Sequence, residues 1–431
     1  MIEKFFLKIP VFIFSIGFLI FMFGCQRLYD KVGGNFSGEP KDIQKILSQK
    51  AKDLIRESFQ GIPDGRYIDH HIHIIAYRQS IGKLCLNKDV LQYRAYINPK
   101  RFTWRHPILK MKTKIFMSAS NVYDIDYCSE QYASRLLNLV EHFGKKGKFH
   151  ILALDGYYET NGILNWEKTD ILIPNGYIIG LAECLNQKLG KKMFIPVISI
   201  HPYRADAIER LKYFAKQGVR YVKWLPNAMN INPGRKENTE FYKTMIELNM
   251  ILIGHTGNEA SLDTKESNQK LGNPLGYKLP LDLGVTIIMA HLGNWGENKD
   301  SKGEIQKNYK IFFKMLEQAE INGKWKLYSD LSAITFGKNI DNLRTLFKKK
   351  HLWHRIVNGS DYPLPGVSFL NNCSKLQKLN FITKDEKEAL DEIYALNPLL
   401  FDFVLKRTLR NPENRTDKLP STMFMSLNFD S

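Results

Sequence analysis

The sequence predicts an α/β protein folded as a (β/α)8 barrel. Three observations carry this. Eight short apolar runs recur between residues 67 and 361, helix-forming stretches lie between most of them, and several runs end in a histidine or aspartate. Strands alternating with helices argue for a parallel sheet, and eight repeats argue for a closed barrel over an open doubly wound sheet. No glycine-rich phosphate loop follows any run, which counts against a nucleotide-binding open sheet.

The elements follow in chain order. Lys4 and Lys8 precede an uninterrupted apolar run, PVFIFSIGFLIFMFG at residues 10–24. It is shorter than the roughly 20 residues that span a bilayer comfortably. A basic start, a short apolar stretch and a small residue before Cys25 match an export signal ending in a lipidation cysteine, so residues 1–25 are read as a lipoprotein-type signal peptide. The competing reading is an uncleaved membrane anchor. Both place the bulk of the chain outside the cytoplasm, on a membrane facing the periplasm or cell surface. Residues 26–66 form a polar tether followed by an amphipathic helix over residues 42–59, with Ile43, Ile46, Leu47, Leu54, Ile55 and Phe59 on one stripe.

The barrel is expected over residues 67–405. Its candidate strands are residues 67–74, 149–156, 194–201, 220–226, 250–255, 285–291, 326–333 and 355–361. Helices are expected over residues 205–217, stopped by Gly218, over residues 240–248, and from the capping box Thr383 to Glu386 onward. Residues 75–147 form a long insertion after the first strand. It carries the apolar run KIFMSAS (114–120) and the helix YASRLLNLVEHF (132–143), and it is expected to cover part of the barrel mouth. Residues 406–431, rich in Asn, Pro, Arg and Ser, read as a loose tail.

Beyond Cys25 there are four cysteines with no CxxC pair, which argues against a cysteine zinc site. Cys85 with Cys128 is the candidate disulfide, and buried free thiols are the alternative. The net charge of +18 reads as a lysine-rich solvated surface. No basic helix with interleaved aromatics marks a nucleic-acid reader.

The chemistry concentrates at the strand ends. On the first strand, YIDHHIHI, alternation places Asp69, His71 and His73 on one face and His70 on the other. Two imidazoles two residues apart make half of a metal site. Further on come His201, His255, His291 and Asp361, each at the end of a different run, and Lys223 within another. In a barrel those ends converge on one mouth.

These residues lie in motifs that resemble the amidohydrolase superfamily, specifically its amidohydrolase-related branch of TIM-barrel metal-dependent hydrolases. The likeness runs from Asp69 to about Phe401. It comprises D-x-H-x-H at Asp69 to His73, IHPYR at Ile200 to Arg204, VKWLP at Val222 to Pro226, HTG at His255 to Gly257, AHLGN at Ala290 to Asn294, GSDYP at Gly359 to Pro363 and NPLLF at Asn397 to Phe401. The resemblance implies that His71, His73, His255 and Asp361 bind a divalent metal. His291 would bind a second metal or polarise the substrate, and Lys223 stands where binuclear relatives carry a carboxylated lysine. One ion is favoured over two. Zinc is expected, with manganese or iron as alternatives.

Such a centre lowers the pKa of bound water to about 7, with Asp361 as general base and His291 steadying the oxyanion. His201, Arg204 and Lys223 are candidate substrate contacts. Asn227 and Glu259 read as pocket or capping residues, and Trp224 as packing against helices. The expected function is hydrolysis of a small molecule at a C–N or ester bond. Non-oxidative decarboxylation on the same site and a non-catalytic binding lipoprotein are the alternatives.

Overall fold

The structure, a computed structural model, describes residues 26–78, 84–85, 93–337 and 339–425. Cys25 and the segment before it lie outside them. Among the described residues no helix is long and apolar enough to cross a membrane.

Eight parallel strands form the barrel: β1 (Tyr67–His73), β2 (Gly147–Leu152), β3 (Phe194–Val197), β4 (Tyr221–Trp224), β5 (Ile251–Gly254), β6 (Thr286–Met289), β7 (Leu327–Asp330) and β8 (Ile356–Val357). They hydrogen-bond as β1-β2-β3 and as β4-β5-β6-β7-β8. Two seams close the ring. Ile198 bridges Val222 beside β3 and β4, and Ile72 bridges Tyr362 beyond β8. The second seam is reinforced by the His70 N–H to the Asn358 carbonyl at 3.1 Å and the Asp361 N–H to the His71 carbonyl at 2.8 Å. All eight predicted runs are barrel strands.

Inside the barrel, Leu152, Val197, Tyr221, Ile251, Ile253, Ile288 and Val357 pack as one cluster. Outside, the helices bury the larger core. These include α1 (Gln26–Val32), α2 (Gln49–Ser58), α3 (Pro107–Ala119), α4 (Cys128–Glu141), α5 (Asn175–Leu189), α6 (Ala207–Lys216), α7 (Thr239–Glu247), α8 (Asn308–Asn322), α9 (Ile340–Lys348), α10 (Lys384–Leu396) and α11 (Pro398–Thr408). Trp224 is fully buried among them, against Phe241 and Tyr242 of α7, and donates its indole N–H to the Ile200 carbonyl. The capping box at Thr383 and Glu386 is present and opens α10.

Four expectations are corrected. The polar stretch after residue 25 is not a free tether. Gly33 and Gly34 are buried against Ile115 and Ser118 of α3, and Ser37 donates to the Ala395 carbonyl. The helix expected over residues 42–59 breaks at Ser48, whose hydroxyl caps α2 by accepting from the Ala51 N–H. Before it lies a single turn, Ile43–Ile46. Residues 406–425 are not loose. They complete α11, form a hairpin of Arg410–Asn411 with Asn414–Lys418, and bury Leu419, Met423 and Phe424.

Cys85 pairs with Cys184 on α5, at a Cα separation of 5.9 Å, while Cys128 and Cys373 are free and buried. Cys128 heads α4 and stays a buried free thiol, so proximity in sequence misled. The bond closes a loop of 99 residues, and such crosslinks stabilise by about 2–4 kcal/mol, chiefly by restricting the unfolded chain. Cys184→Ser is expected to lower the urea-unfolding free energy by that amount relative to the oxidised protein. Peptide mapping without reductant should recover residues 85 and 184 as one linked fragment.

Candidate metal centre

The first strand does not run regularly. Tyr67, Ile68 and Asp69 pair with Gly147, Lys148 and Phe149, but pairing resumes at Ile72 with Ile151. β1 therefore holds one extra residue there, a bulge that turns two successive side chains to the same side. His70 packs on His150 and on the interior Tyr221, at ring separations of 4.8 and 5.9 Å. His71 enters the interior as well. Asp69 is left on the outer side, in register with Phe149, where its carboxylate accepts from the N–H groups of His71 and Ser360. Simple alternation predicted Asp69, His71 and His73 on one face and His70 opposite. The bulge overturns this for Asp69 and His70 and keeps His71 with His73.

The interior imidazoles gather at the mouth. His71 Nε2 lies 3.1 Å from His73 Nε2, and Asp361 Oδ1 lies 3.5 and 3.4 Å from those two atoms. His71, His73 and Asp361 form one group of neighbouring ligand atoms, and His71, His291 and Asp330 form another. His255 belongs to neither group but touches His291, Nδ1 to Nε2, at 3.1 Å. Lys223 is fully buried with its Nζ 2.8 Å from His71 Nε2.

Two glycines permit this convergence. A Cβ on Gly257, at φ +95°, would lie 1.6 Å from the Asn294 carbonyl oxygen, so the loops after His255 and His291 could not meet. A Cβ on Gly359 would lie 2.9 Å from that of His71. His291 and Asp361 themselves sit at φ +68° and +60°, a left-handed conformation costing roughly 1–2 kcal/mol for such residues.

Asp330, at the end of β7, was missed by the sequence reading. It is fully buried. One oxygen accepts from His71 Nδ1 at 2.8 Å, and the other accepts from the N–H groups of His291 and Ser332. Burial raises its pKa, but His71, His291 and these hydrogen bonds outweigh that and hold the carboxyl well below the usual range. An ionised Asp330 fixes His71 with its proton on Nδ1, so the Nε2 lone pair faces His73 and Asp361. A second relay starts from the same carboxylate. Ser332 Oγ donates to Asp330 and lies 2.7 Å from His291 Nδ1. His291 Nδ1–H then donates to Ser332, His291 Nε2 accepts from His255 Nδ1–H, and His255 Nε2 is left as a buried lone pair without a hydrogen-bond partner. The apolar run ending in Ser-Asp at residues 329–330 was the available signal.

Burial lowers the pKa of His71 and of His255 to about 4, and puts His73 and His291 well below the usual value. All four are neutral and electron-donating near neutral pH. Burial likewise pushes the Lys223 amine down to about 8, against the pull of Asp330, Asp361 and Glu259. It pushes Asp361 well above the usual carboxylate range, opposed by Lys223.

The remaining predicted contacts fall elsewhere. A cavity of about 130 Å³ is lined by His73, His255, His291, Asp361 and Glu259, but not by His201 or Arg204. Both His201 ring nitrogens are committed, Nε2 to the Met229 carbonyl and Nδ1 to the Tyr203 N–H. Arg204 binds Asp206 through two nitrogens and reaches Asp155 and Tyr158. Asn227 ties Gly257 to Gln269. A larger cleft of about 1260 Å³ between α5 and α6 holds none of the clustered mouth ligands.

No family model matches this chain, and no curated protein matches it. Solved structures do. An uncharacterized TIM-barrel protein from Bordetella bronchiseptica is 14% identical, covering 76% of this chain and 94% of its own, with a TM-score of 0.40. A manganese-bound 5-carboxyvanillate decarboxylase from Novosphingobium aromaticivorans is 8% identical, covering 75% and 94%, with a TM-score of 0.40. Dihydroorotase from Campylobacter jejuni is 12% identical, covering 78% and 85%, with a TM-score of 0.32.

Two measurements check this geometry. Asp330→Asn keeps the volume but removes the charge that sets the His71 tautomer. Divalent-metal affinity, measured by equilibrium dialysis, should fall about 10- to 100-fold. The second concerns His201, whose pKa burial lowers to about 3. The unfolded imidazole takes up its proton near 6.5, whereas the folded one stays neutral until far lower pH. Its contribution is therefore complete above about 6.5 and lost as pH falls, reaching about 2 kcal/mol of lost stability at pH 5. Between pH 7.5 and 5 the wild type should lose about that much more unfolding free energy than His201→Gln.

Proposed function

We propose that the protein is a metal-dependent hydrolase of the amidohydrolase superfamily, acting on a small molecule at a C–N or ester bond. The observation that carries this reading is the spacing of three lone-pair atoms. His71 Nε2, His73 Nε2 and Asp361 Oδ1 stand 3.1 to 3.5 Å from one another. Ligands at about 2.1 Å on a tetrahedral ion are about 3.4 Å apart. His255, which lines the same cavity and whose Nε2 has no hydrogen-bond partner, is read as the fourth donor. A nitrogen-rich set with one carboxylate suits zinc, manganese or iron, and one ion is the reading adopted here.

A divalent ion there supplies a Lewis acid that acidifies water and polarises a carbonyl. Asp361 takes the proton from the attacking water. The same carboxylate then returns that proton to the leaving group. His291 lines the same cavity 3.8 Å from Asp361, and its neutral ring is read as the group that polarises the substrate carbonyl there. Lys223 brings its Nζ to 2.8 Å from His71 Nε2, so it gives up that lone pair when an ion takes it. Its lowered pKa also makes the amine an available ligand or carbamate site should a second ion bind. The chain is read as exported and held at a membrane by residues 1–25, through Cys25. A disulfide between Cys85 and Cys184 accords with an oxidising compartment.

Purified protein should carry about one divalent ion per chain by elemental analysis, and His73→Ala should lose it. Asp361→Asn should reduce turnover by about 10²- to 10⁴-fold at an unchanged melting temperature. Release of carbon dioxide without uptake of labelled solvent oxygen would replace hydrolysis by decarboxylation.

A further inference from the structure

The cavity beside the candidate ligands has a wall built by the insertion. Ile97, Phe116, Met117 and Ile125 come from residues 97–125, and Ile173 and Leu262 close it from the neighbouring loops. Two ionisable side chains share this wall, and neither offers a free cation. Arg101 is 2% exposed. Its Nε and Nη2 bind the two oxygens of Asp170, Nη2 also donates to the Ser261 carbonyl, and Nη1 reaches Thr113 Oγ1. Glu259 accepts from the N–H groups of Ser261 and Leu262. A bidentate pair of this kind leaves the guanidinium little to offer a substrate anion. Glu259 and Asp361 would repel one.

We propose that the substrate presents an uncharged hydrocarbon group, a short aliphatic chain or a single ring, to this chamber while its reacting carbonyl lies at His71, His73 and Asp361. The inference rests on the metal-dependent reading above and adds the class of substrate. The cavity's 130 Å³ lies below the roughly 300–1,000 Å³ of sites for drug-sized ligands, so the group is small. Each methylene buried there strengthens binding about fourfold. A terminal carboxylate would lose its hydration and gain no partner.

The test is calorimetric titration of the manganese-loaded full chain with acetohydroxamic, butyrohydroxamic and succinic monohydroxamic acids. The hydroxamate head engages the ion and the tails differ. Butyrohydroxamate is expected to bind about 16-fold tighter than acetohydroxamate, and the succinate analogue weaker than either. Ile125 is half-buried, so Ile125→Lys is tolerated by the fold and should erase the chain-length gain and favour the succinate analogue at unchanged metal content. Equal affinities across the series, or tightest binding by the succinate analogue in the wild type, would overturn the proposal. Absence of hydroxamate binding with manganese present at one per chain overturns the chamber alone. Absence of manganese itself overturns the metal centre, and the chamber's role with it.

Discussion

The buried carboxylate of Asp330 is the point to which the rest of the site is tied. It sits at the end of β7 and reaches β1 through His71, the loop after β6 through the His291 amide, and its own loop through Ser332. An ionised group without solvent is costly unless every lone pair is engaged. Here both oxygens are, and by groups whose own orientation matters. The charge that must be compensated also selects the tautomers of His71 and, through Ser332, of His291 and His255. Stability and chemical readiness are thus set by one residue.

Around that carboxylate, the barrel gathers neutral imidazoles, those of His71, His255 and His291 buried and that of His73 partly exposed. Burial, reinforced by the nearby Lys223 charge, moves four histidines below their ordinary pKa. In water a group of rings this close would exchange protons with solvent. Enclosed by the barrel cluster beneath and the insertion above, they keep their lone pairs. The strained backbone at His291 and Asp361 is held by the same surroundings, since Asp361 donates its N–H to β1 and His291 to Asp330.

Much of this was legible in the residues. The eight apolar runs are long enough and regular enough in spacing to announce a parallel barrel, and the histidines at Gly-His-Thr-Gly and Ala-His-Leu-Gly-Asn mark strand ends because glycine follows closely. What escaped was of two kinds. A bulge depends on how two strands pair, so the facing of His70 and Asp69 could not be read from β1 alone. Asp330 looks in sequence like any acid closing a strand, since its partners are 259 and 39 residues away. Cys85 and Cys184 likewise meet only because the insertion folds back over α5. His201, at a strand end like the others, is turned aside by a local contact with the Met229 carbonyl, which spacing does not reveal.

The insertion supplies the chamber wall, yet it is anchored to the barrel by more than packing. With Cys85 bound to Cys184, every peptide bond between those two residues lies within a covalent ring. A single protease cut anywhere in that stretch leaves one molecule, with Phe116 and Met117 still held over the mouth by their neighbours. Nicking and loss of the insertion are therefore separate events in this protein as long as the thiols remain oxidised.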